Sequence, residues 1–286
     1  MLTESKSTLP GFEVRETRYR TTRVRYLTAG SGPPLVLVHG LGGAAGNWQL
    51  VAPALAQRRR VIVPDLPGHG GSAPLLAAPS LDPYAEVVLA VLEHEDALPA
   101  PWVGHSLGGL VALRAAVRRP GAVSAVVLAA AAGISSTARA AEAVVTVLGL
   151  VQPGKLAARY RRLLAGSRLG RTATFGWWGV ADPAGFDPEM AEAFLAGPAQ
   201  HTDTASAGRA LVRYDPRSDL ERVACPCLCL WGACDNWVPL QDGMEYARRL
   251  RAPLRIIADC GHLLIGERPE AVLRAVDDFL GAPPSG

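Results

Sequence analysis

The sequence predicts an α/β protein in which a mostly parallel sheet carries helices on both faces. Three observations support this. Short apolar runs recur along the chain and alternate with stretches of helical periodicity, the pattern of strand–helix–strand units. The alternation breaks once, between about residues 133 and 218, in a helical stretch interrupted by Pro153, Gly166, Gly170, Pro183, Pro188 and Pro198. A serine flanked by glycines, in Gly104-His105-Ser106-Leu107-Gly108-Gly109, stands where an apolar run ends and a helix-forming run begins. Of the 286 residues, 49% are hydrophobic and 19% charged, enough apolar material for a buried core, which excludes a disordered chain.

In chain order, residues 12–29 read as a hairpin of two strands, FEVRETRYR and RVRYLTA. Alternation puts most of Arg15, Arg18, Arg20, Arg23 and Arg25 on its wet face. From Pro34 the runs become those of buried parallel strands: LVLVH (35–39), VIVPD (61–65), WVGH (102–105), VSAVVLAA (123–130), CLCLWG (227–232) and LRIIAD (254–259). Between them NWQLVAPALAQ, PYAEVVLAVLEHEDAL, LGGLVALRAAVRR, QDGMEYARRLR and RPEAVLRAVDDFL read as helices. Asn47 and Asp82 are candidate N-caps, with Pro83 at a first helical position. The 133–218 stretch clusters Phe175, Trp177, Trp178, Phe186 and Phe194, and it reads as an insertion between two strands of the sheet.

Charge and cysteine usage narrow the classes of function. Lys+Arg 29 against Asp+Glu 26 gives a net +3, too balanced for nucleic acid or an anionic membrane to be the default partner. Only Lys6 and Lys155 are lysines, so the arginine excess reads as compositional bias. The most apolar stretch, residues 122–134, is too short to span a bilayer, and the polar N-terminal dozen lacks the apolar centre of a secretory signal. Cys225, Cys227 and Cys229 alternate, which puts them on one face of a strand as buried thiols, whereas zinc needs thiolates converging on a tetrahedron. Cys234 with Cys260 is a lesser, disulfide-linked alternative. The expectation is a reduced, cytoplasmic protein with no metal.

The chemistry centres on Ser106. In G-x-S-x-G the serine sits on a sharp strand-to-helix turn, and glycines flank it because side chains there would strike the neighbouring strand and helix. A serine nucleophile needs a base, and the base needs an orienting carboxylate, in the chain order serine, acid, histidine. His262, after the last strand, is the candidate base. His39 and His69 lie in glycine-rich turns, His105 faces away, His94 is helical and His201 lies in the insertion. Asp235, directly after CLCLWG, is the candidate acid, with Asp242 and Asp259 as rivals. The oxyanion needs backbone N–H donors: Leu107 at the start of the helix, and Leu41, or its neighbour Gly42, in His39-Gly40-Leu41-Gly42-Gly43.

With HGLGG (39–43), DLPGHGGS (65–72), GHSLGG (104–109), WGACDNWVP (231–239) and GHLLIGERPE (261–270) in this order, the chain resembles the α/β-hydrolase fold superfamily along nearly its whole length. The resemblance implies eight strands, with a helical cap inserted after the sixth. Residues 1–132 and 219–286 then form the core and 133–218 the cap. It also implies that Ser106 is the nucleophile, Asp235 the acid and His262 the base, with Leu41 and Leu107 as oxyanion donors and no cofactor. The expected substrate is a carboxylic ester with a small to medium apolar acyl group. Phe175, Trp177 and Trp178 would line its pocket, or else pack the insertion's own core. The same machinery serves carbon–carbon hydrolases of ring-cleavage products, lactonases, thioesterases and cofactor-free perhydrolases. Cys260 before Gly261-His262 matches the carbon–carbon group, whereas Leu263 stands where that group commonly has tryptophan. Two readings of other classes compete. Gly40-x-Gly42-x-x-Ala45 with Asp65 twenty residues on fits a dinucleotide fingerprint, and a small-ligand receptor could use the same fold. Monomer and dimer are both open.

Overall fold

The computed structural model describes residues 9–76, 78–135, 153–176 and 179–281. Eight strands form one sheet: β1 Glu13–Tyr19, β2 Thr22–Ala29, β3 Pro34–Val38, β4 Arg60–Pro64, β5 Ala100–His105, β6 Val123–Ala129, β7 Cys227–Gly232 and β8 Leu254–Ile257. Their spatial order is β1-β2-β4-β3-β5-β6-β7-β8. β1 pairs antiparallel with β2 and β2 antiparallel with β4, and every other pairing is parallel. The strands form where the apolar runs lie. Leu35 to Val38, Val61 to Val63 and Val126 to Leu128 are fully buried without alternation, as strands covered on both faces require.

The helices follow the strands: α1 Ala52–Ala56, α2 Asp82–His94, α3 Leu107–Arg118, α4 Pro153–Arg159, α5 Arg161–Gly166, α6 Arg168–Phe175, α7 Pro188–Gln200, α8 Thr204–Val212, α9 Leu240–Leu250, α10 Leu264–Glu267 and α11 Pro269–Leu280. Helices α4 to α8 all fall between β6 and β7. Part of this insertion has an apolar cluster of its own, built from Ala165, Phe175, Val180, Phe186, Met190, Ala191 and Leu195 and joined by Leu263. Trp177 and Trp178 lie outside the described residues.

Several expectations need correction. Cys225 lies before β7 and is half-buried, unlike Cys227 and Cys229. β8 is a partly exposed edge strand and not a buried one. The run NWQLVAPALAQ is not one helix but a 3-10 turn at Ala45–Trp48 followed by α1, which Pro53 opens. Asn47 therefore caps nothing in front of it; its Oδ1 reaches back to accept from Ala44 N at 2.8 Å. Asp82 is the first helical residue rather than the cap, and its carboxylate instead pairs with Arg114 at 2.6 Å and Arg118 at 2.9 Å. Arg25 leaves the wet face of the hairpin. β2 is an interior strand, and Arg25 is buried with its guanidinium 2.6 Å from Asp65 Oδ2.

Candidate active site

The carboxyl ends of β3, β5 and β7 bring the site together. β5 ends at His105 and α3 begins at Leu107, so Ser106 alone makes the turn, at φ 53° and ψ −116°. A non-glycine residue held at positive φ costs about 1–3 kcal/mol and persists only where its surroundings over-determine it. Close packing does so here. A Cβ on Gly104 would lie 2.3 Å from the Gly108 carbonyl oxygen, and one on Gly108 would lie 2.2 Å from that of Val38. The elbow therefore closes only with glycine at both places, which is the reason the sequence pattern anticipated.

β7 ends at Gly232, and Asp235 follows in the turn before α9. Its Oδ1 accepts from the N–H groups of Trp237 (2.9 Å) and Val238 (2.8 Å), which fixes the carboxylate plane. Its Oδ2 lies 2.9 Å from His262 Nδ1. A carboxylate only accepts, so Nδ1 carries the proton and Nε2 of the neutral ring holds the free lone pair. Both side chains are buried. The rivals are placed elsewhere: Asp242 Oδ2 accepts from Ser135 N and Oγ at 2.9 and 2.8 Å, and Asp259 is exposed at φ 48°.

His105, passed over as a base, grips the base loop. Its Nε2–H donates to the His262 carbonyl at 2.8 Å, and the two rings lie 5.0 Å apart between centroids. The nucleophile's neighbour thus ties the base to the elbow. Burial pushes the His105 pKa down to about 3, so it stays a neutral donor. Glu267 holds the same loop from the other side. Its carboxylate accepts from Gly261 N at 2.9 and 3.0 Å and from Ala181 N, in the insertion, at 2.8 Å. Leu263 N completes the contact by donating to the Gly179 carbonyl at 2.9 Å.

The HGLGG turn lies against the nucleophile: a Cβ on Gly40 would stand 3.0 Å from Ser106 Cβ. His39, buried beneath it, accepts from Leu66 N through Nε2 at 3.0 Å and donates through Nδ1–H to the Gly40 carbonyl at 2.8 Å. That carbonyl shares its peptide with Leu41 N–H, so His39 orients the candidate donor. Asp65 is fully buried and anchors the next turn. It accepts from Ala45 N at 2.8 Å and Gly71 N at 2.9 Å besides pairing with Arg25, while Ser72 Oγ donates to its carbonyl at 2.7 Å. Its carboxylate is fully engaged, which leaves the dinucleotide reading without its ribose ligand. Phe175 is 2% exposed and packs edge-on against Phe186 at 5.4 Å, the core-packing alternative for that aromatic. All five cysteines are free thiols, and Cys234 meets Cys260 only through a backbone hydrogen bond of 2.8 Å.

A model of the alpha/beta hydrolase family matches residues 35–275, which contain every residue of this constellation. The chain belongs to the alpha/beta hydrolase family. Among relatives of this hydrolase, the dihydrolipoyllysine-residue acetyltransferase component of an acetoin-cleaving system of Pseudomonas putida is 35% identical, over 87% of the chain and 64% of that protein's length. The chain therefore spans just under two thirds of that relative. It is 32% identical to a 2-hydroxymuconate semialdehyde hydrolase of a Pseudomonas strain, over 88% of each chain. It is also 32% identical to a pimeloyl-[acyl-carrier protein] methyl ester esterase of Methylococcus capsulatus, over 89% of the chain and 97% of the esterase. A solved hydrolase from Pseudomonas aeruginosa shares the fold at a TM-score of 0.75 and 24% identity, covering 96% of this chain and all of that one. Among the described residues no helix is long and apolar enough to cross a membrane.

Proposed function

We propose that the chain is a serine hydrolase that cleaves carboxylic esters through an acyl-enzyme. The observation that carries this reading is the 2.9 Å contact between His262 Nδ1 and Asp235 Oδ2, on a base loop that His105 ties to the Ser106 elbow. His262 Nε2 takes the Ser106 hydroxyl proton as Oγ bonds to the ester carbonyl carbon. The N–H groups of Leu41 and Leu107 receive the negative charge that collects on the carbonyl oxygen. His262 then gives the proton to the departing alkoxide, the ester C–O bond breaks, and the acyl group stays on Ser106. Water, deprotonated by the same nitrogen, attacks the acyl carbon and releases the acid. Asp235 keeps the imidazole in its Nδ1–H tautomer and stabilises the cation.

An ester with a small to medium apolar acyl group is the proposed substrate class: the esterase relative supports the ester bond, and an insertion rich in apolar side chains supports the apolar acyl group. The insertion, residues 133–218, serves as the cap over the site, and the enzyme works in the cytoplasm without a cofactor. Carbon–carbon hydrolysis is the second reading. It rests on the semialdehyde hydrolase relative and on Cys260 preceding Gly261-His262. Against it, Leu263 is buried in the insertion's cluster, where that group's tryptophan would have to fit. A kinetic panel of p-nitrophenyl esters, a lactone, an acyl thioester and a dienone acid separates the two. The expected result is highest kcat/KM on a short ester, and preference for the dienone acid would favour the second reading. Ser106→Ala is expected to abolish both turnover and labelling by a fluorophosphonate, and wild-type turnover in that variant would sink the mechanism.

A further inference from the structure

We propose that His201, from the inserted helices, is a positioning residue for the oxyanion turn, so that the insertion completes the catalytic geometry only when docked on the core. The inference rests on the serine-hydrolase reading above. His201 directly follows α7 and is buried. Its Nδ1 accepts from Gly70 N at 3.2 Å, so the ring proton resides on Nε2, which donates to the Gly42 carbonyl at 2.8 Å. With one nitrogen accepting and the other donating, His201 is neither a base nor a metal ligand. Both its nitrogens are spent on backbone.

Gly42 stands one residue beyond Leu41, at φ 72°. The peptide before Leu41 is fixed through the Gly40 carbonyl, which accepts from His39 Nδ1–H at 2.8 Å and from Gly43 N at 3.1 Å. On the other side the Gly42–Gly43 peptide is held at both of its polar ends: Gly43 N–H donates to the Gly40 carbonyl within the turn, and His201 Nε2–H donates to the Gly42 carbonyl from the insertion. The site is built for that bond. A Cβ on Gly197 of α7 would lie 3.0 Å from the Gly42 oxygen, so the helix encloses the carbonyl without displacing it. Thr202 N and Asp203 N both donate to the Gly68 carbonyl at 3.0 and 3.2 Å, and the His69 ring lies between those of His39 (5.2 Å) and His201 (5.0 Å). The end of α7 is thus locked to both loops that carry the turn. An oxyanion donor acts only when it is preorganised to within a fraction of an ångström, so releasing Gly42 would loosen Leu41 N–H as well.

The test uses the full chain with His201→Phe, which keeps the volume and loses both bonds, and His201→Gln, whose amide N–H can still reach the Gly42 carbonyl. Two quantities are read: steady-state ester hydrolysis, and the affinity of a trifluoromethyl ketone, which forms a tetrahedral adduct that needs the oxyanion donors. The expected result for His201→Phe is a loss of about 10- to 100-fold in kcat, KM within about twofold, and an equal weakening of the ketone, with His201→Gln recovering most of both. Wild-type kcat and ketone affinity in His201→Phe would overturn the proposal, and so would equal losses in the Phe and Gln variants. If His201→Phe does not fold, His201→Asn replaces it. Asn reaches Gly70 N–H but not Gly42, so it should fall below Gln, and equality with Gln would overturn the proposal. Turnover surviving Ser106→Ala would remove the hydrolase reading itself, whatever His201 does.

Discussion

Ser106 is held at φ 53° by packing, while Asp235 is held by hydrogen bonds, and that difference makes the acid the sharper probe of mechanism. In Asp235→Asn the amide oxygen would face Trp237 N and Val238 N, because those donors need an acceptor. The amide NH2 would then face His262 Nδ1 and force that nitrogen to accept. The imidazole proton would move to Nε2, where the base lone pair has to be. Asp235→Asn is therefore expected to fold normally and to lose about 10⁴-fold in kcat, by analogy with the tautomer trap in serine proteases. Near-native kcat, measured beside an unchanged melting temperature, would show that Asp235 does not set the tautomer. His105 could not have been assigned from sequence in this way. From the sequence it is set aside as a base and given no other role, and only the fold shows its Nε2 on the His262 carbonyl, 157 residues away.

The elements were legible where one cause decided them. All six apolar runs formed strands within a few residues of their expected ends, five of them buried as expected, whereas β8 is an edge strand with Ile256 50% exposed. The elbow was legible because two glycines are needed at fixed offsets from the serine. Gly104→Ala is thus expected to destabilise the fold by about 3 kcal/mol or more, since its Cβ would meet backbone at Gly108 that cannot move without moving α3. Gly121→Ala, at an exposed position with nothing within 4 Å and no positive φ, is expected to be neutral or stabilising by up to about 1 kcal/mol. Urea unfolding of both variants measures the contrast, and comparable losses would show that the close approach at the elbow is not what the glycine serves. Sequence failed where two causes competed. Helical periodicity ran through 47–57, but Pro53 reset the helix and Asn47 bonded backwards. Alternation sets Arg25 on the same face as the exposed Arg23, but the chain covers that face at Arg25, whose guanidinium meets the buried Asp65.

At the scale of the molecule, the described residues of the insertion are bonded to the core at several places, among them His201 to Gly42 and Gly70, residues 202–203 to Gly68, and residues 179–181 to the base loop and Glu267. None of these was readable from sequence, because each joins backbone groups to residues far along the chain, and backbone groups carry no sequence signal. The folded chain also buries imidazoles beside these contacts. His39, His69, His105 and His201 all have their pKa lowered chiefly by burial, His201 to about 4 and His105 to about 3. In the unfolded chain each would titrate near its ordinary value of about 6.5. Between these limits the unfolded state binds more protons than the folded one, so acidification weakens the fold. The loss should begin near pH 6.5 and continue to about pH 3, where His105 titrates in the fold, each histidine adding a slope of at most about 1.4 kcal/mol per pH unit. Carboxylates held low by hydrogen bonds and neighbouring arginines, such as Asp219 under the Tyr214 hydroxyl and beside Arg114, lose their contribution only below about pH 4.5, so the upper part of the window belongs to the histidines. Glu267 opposes them, because burial raises its pKa and the folded state takes up its proton first. The expected record is a melting temperature level from pH 8 to 7 that falls steadily from pH 6.5 to 4.5, with a shallower fall in His69→Phe. A melting temperature flat across that interval would mean that these imidazoles reach solvent, and that the insertion does not seal the core as the hydrogen bonds indicate.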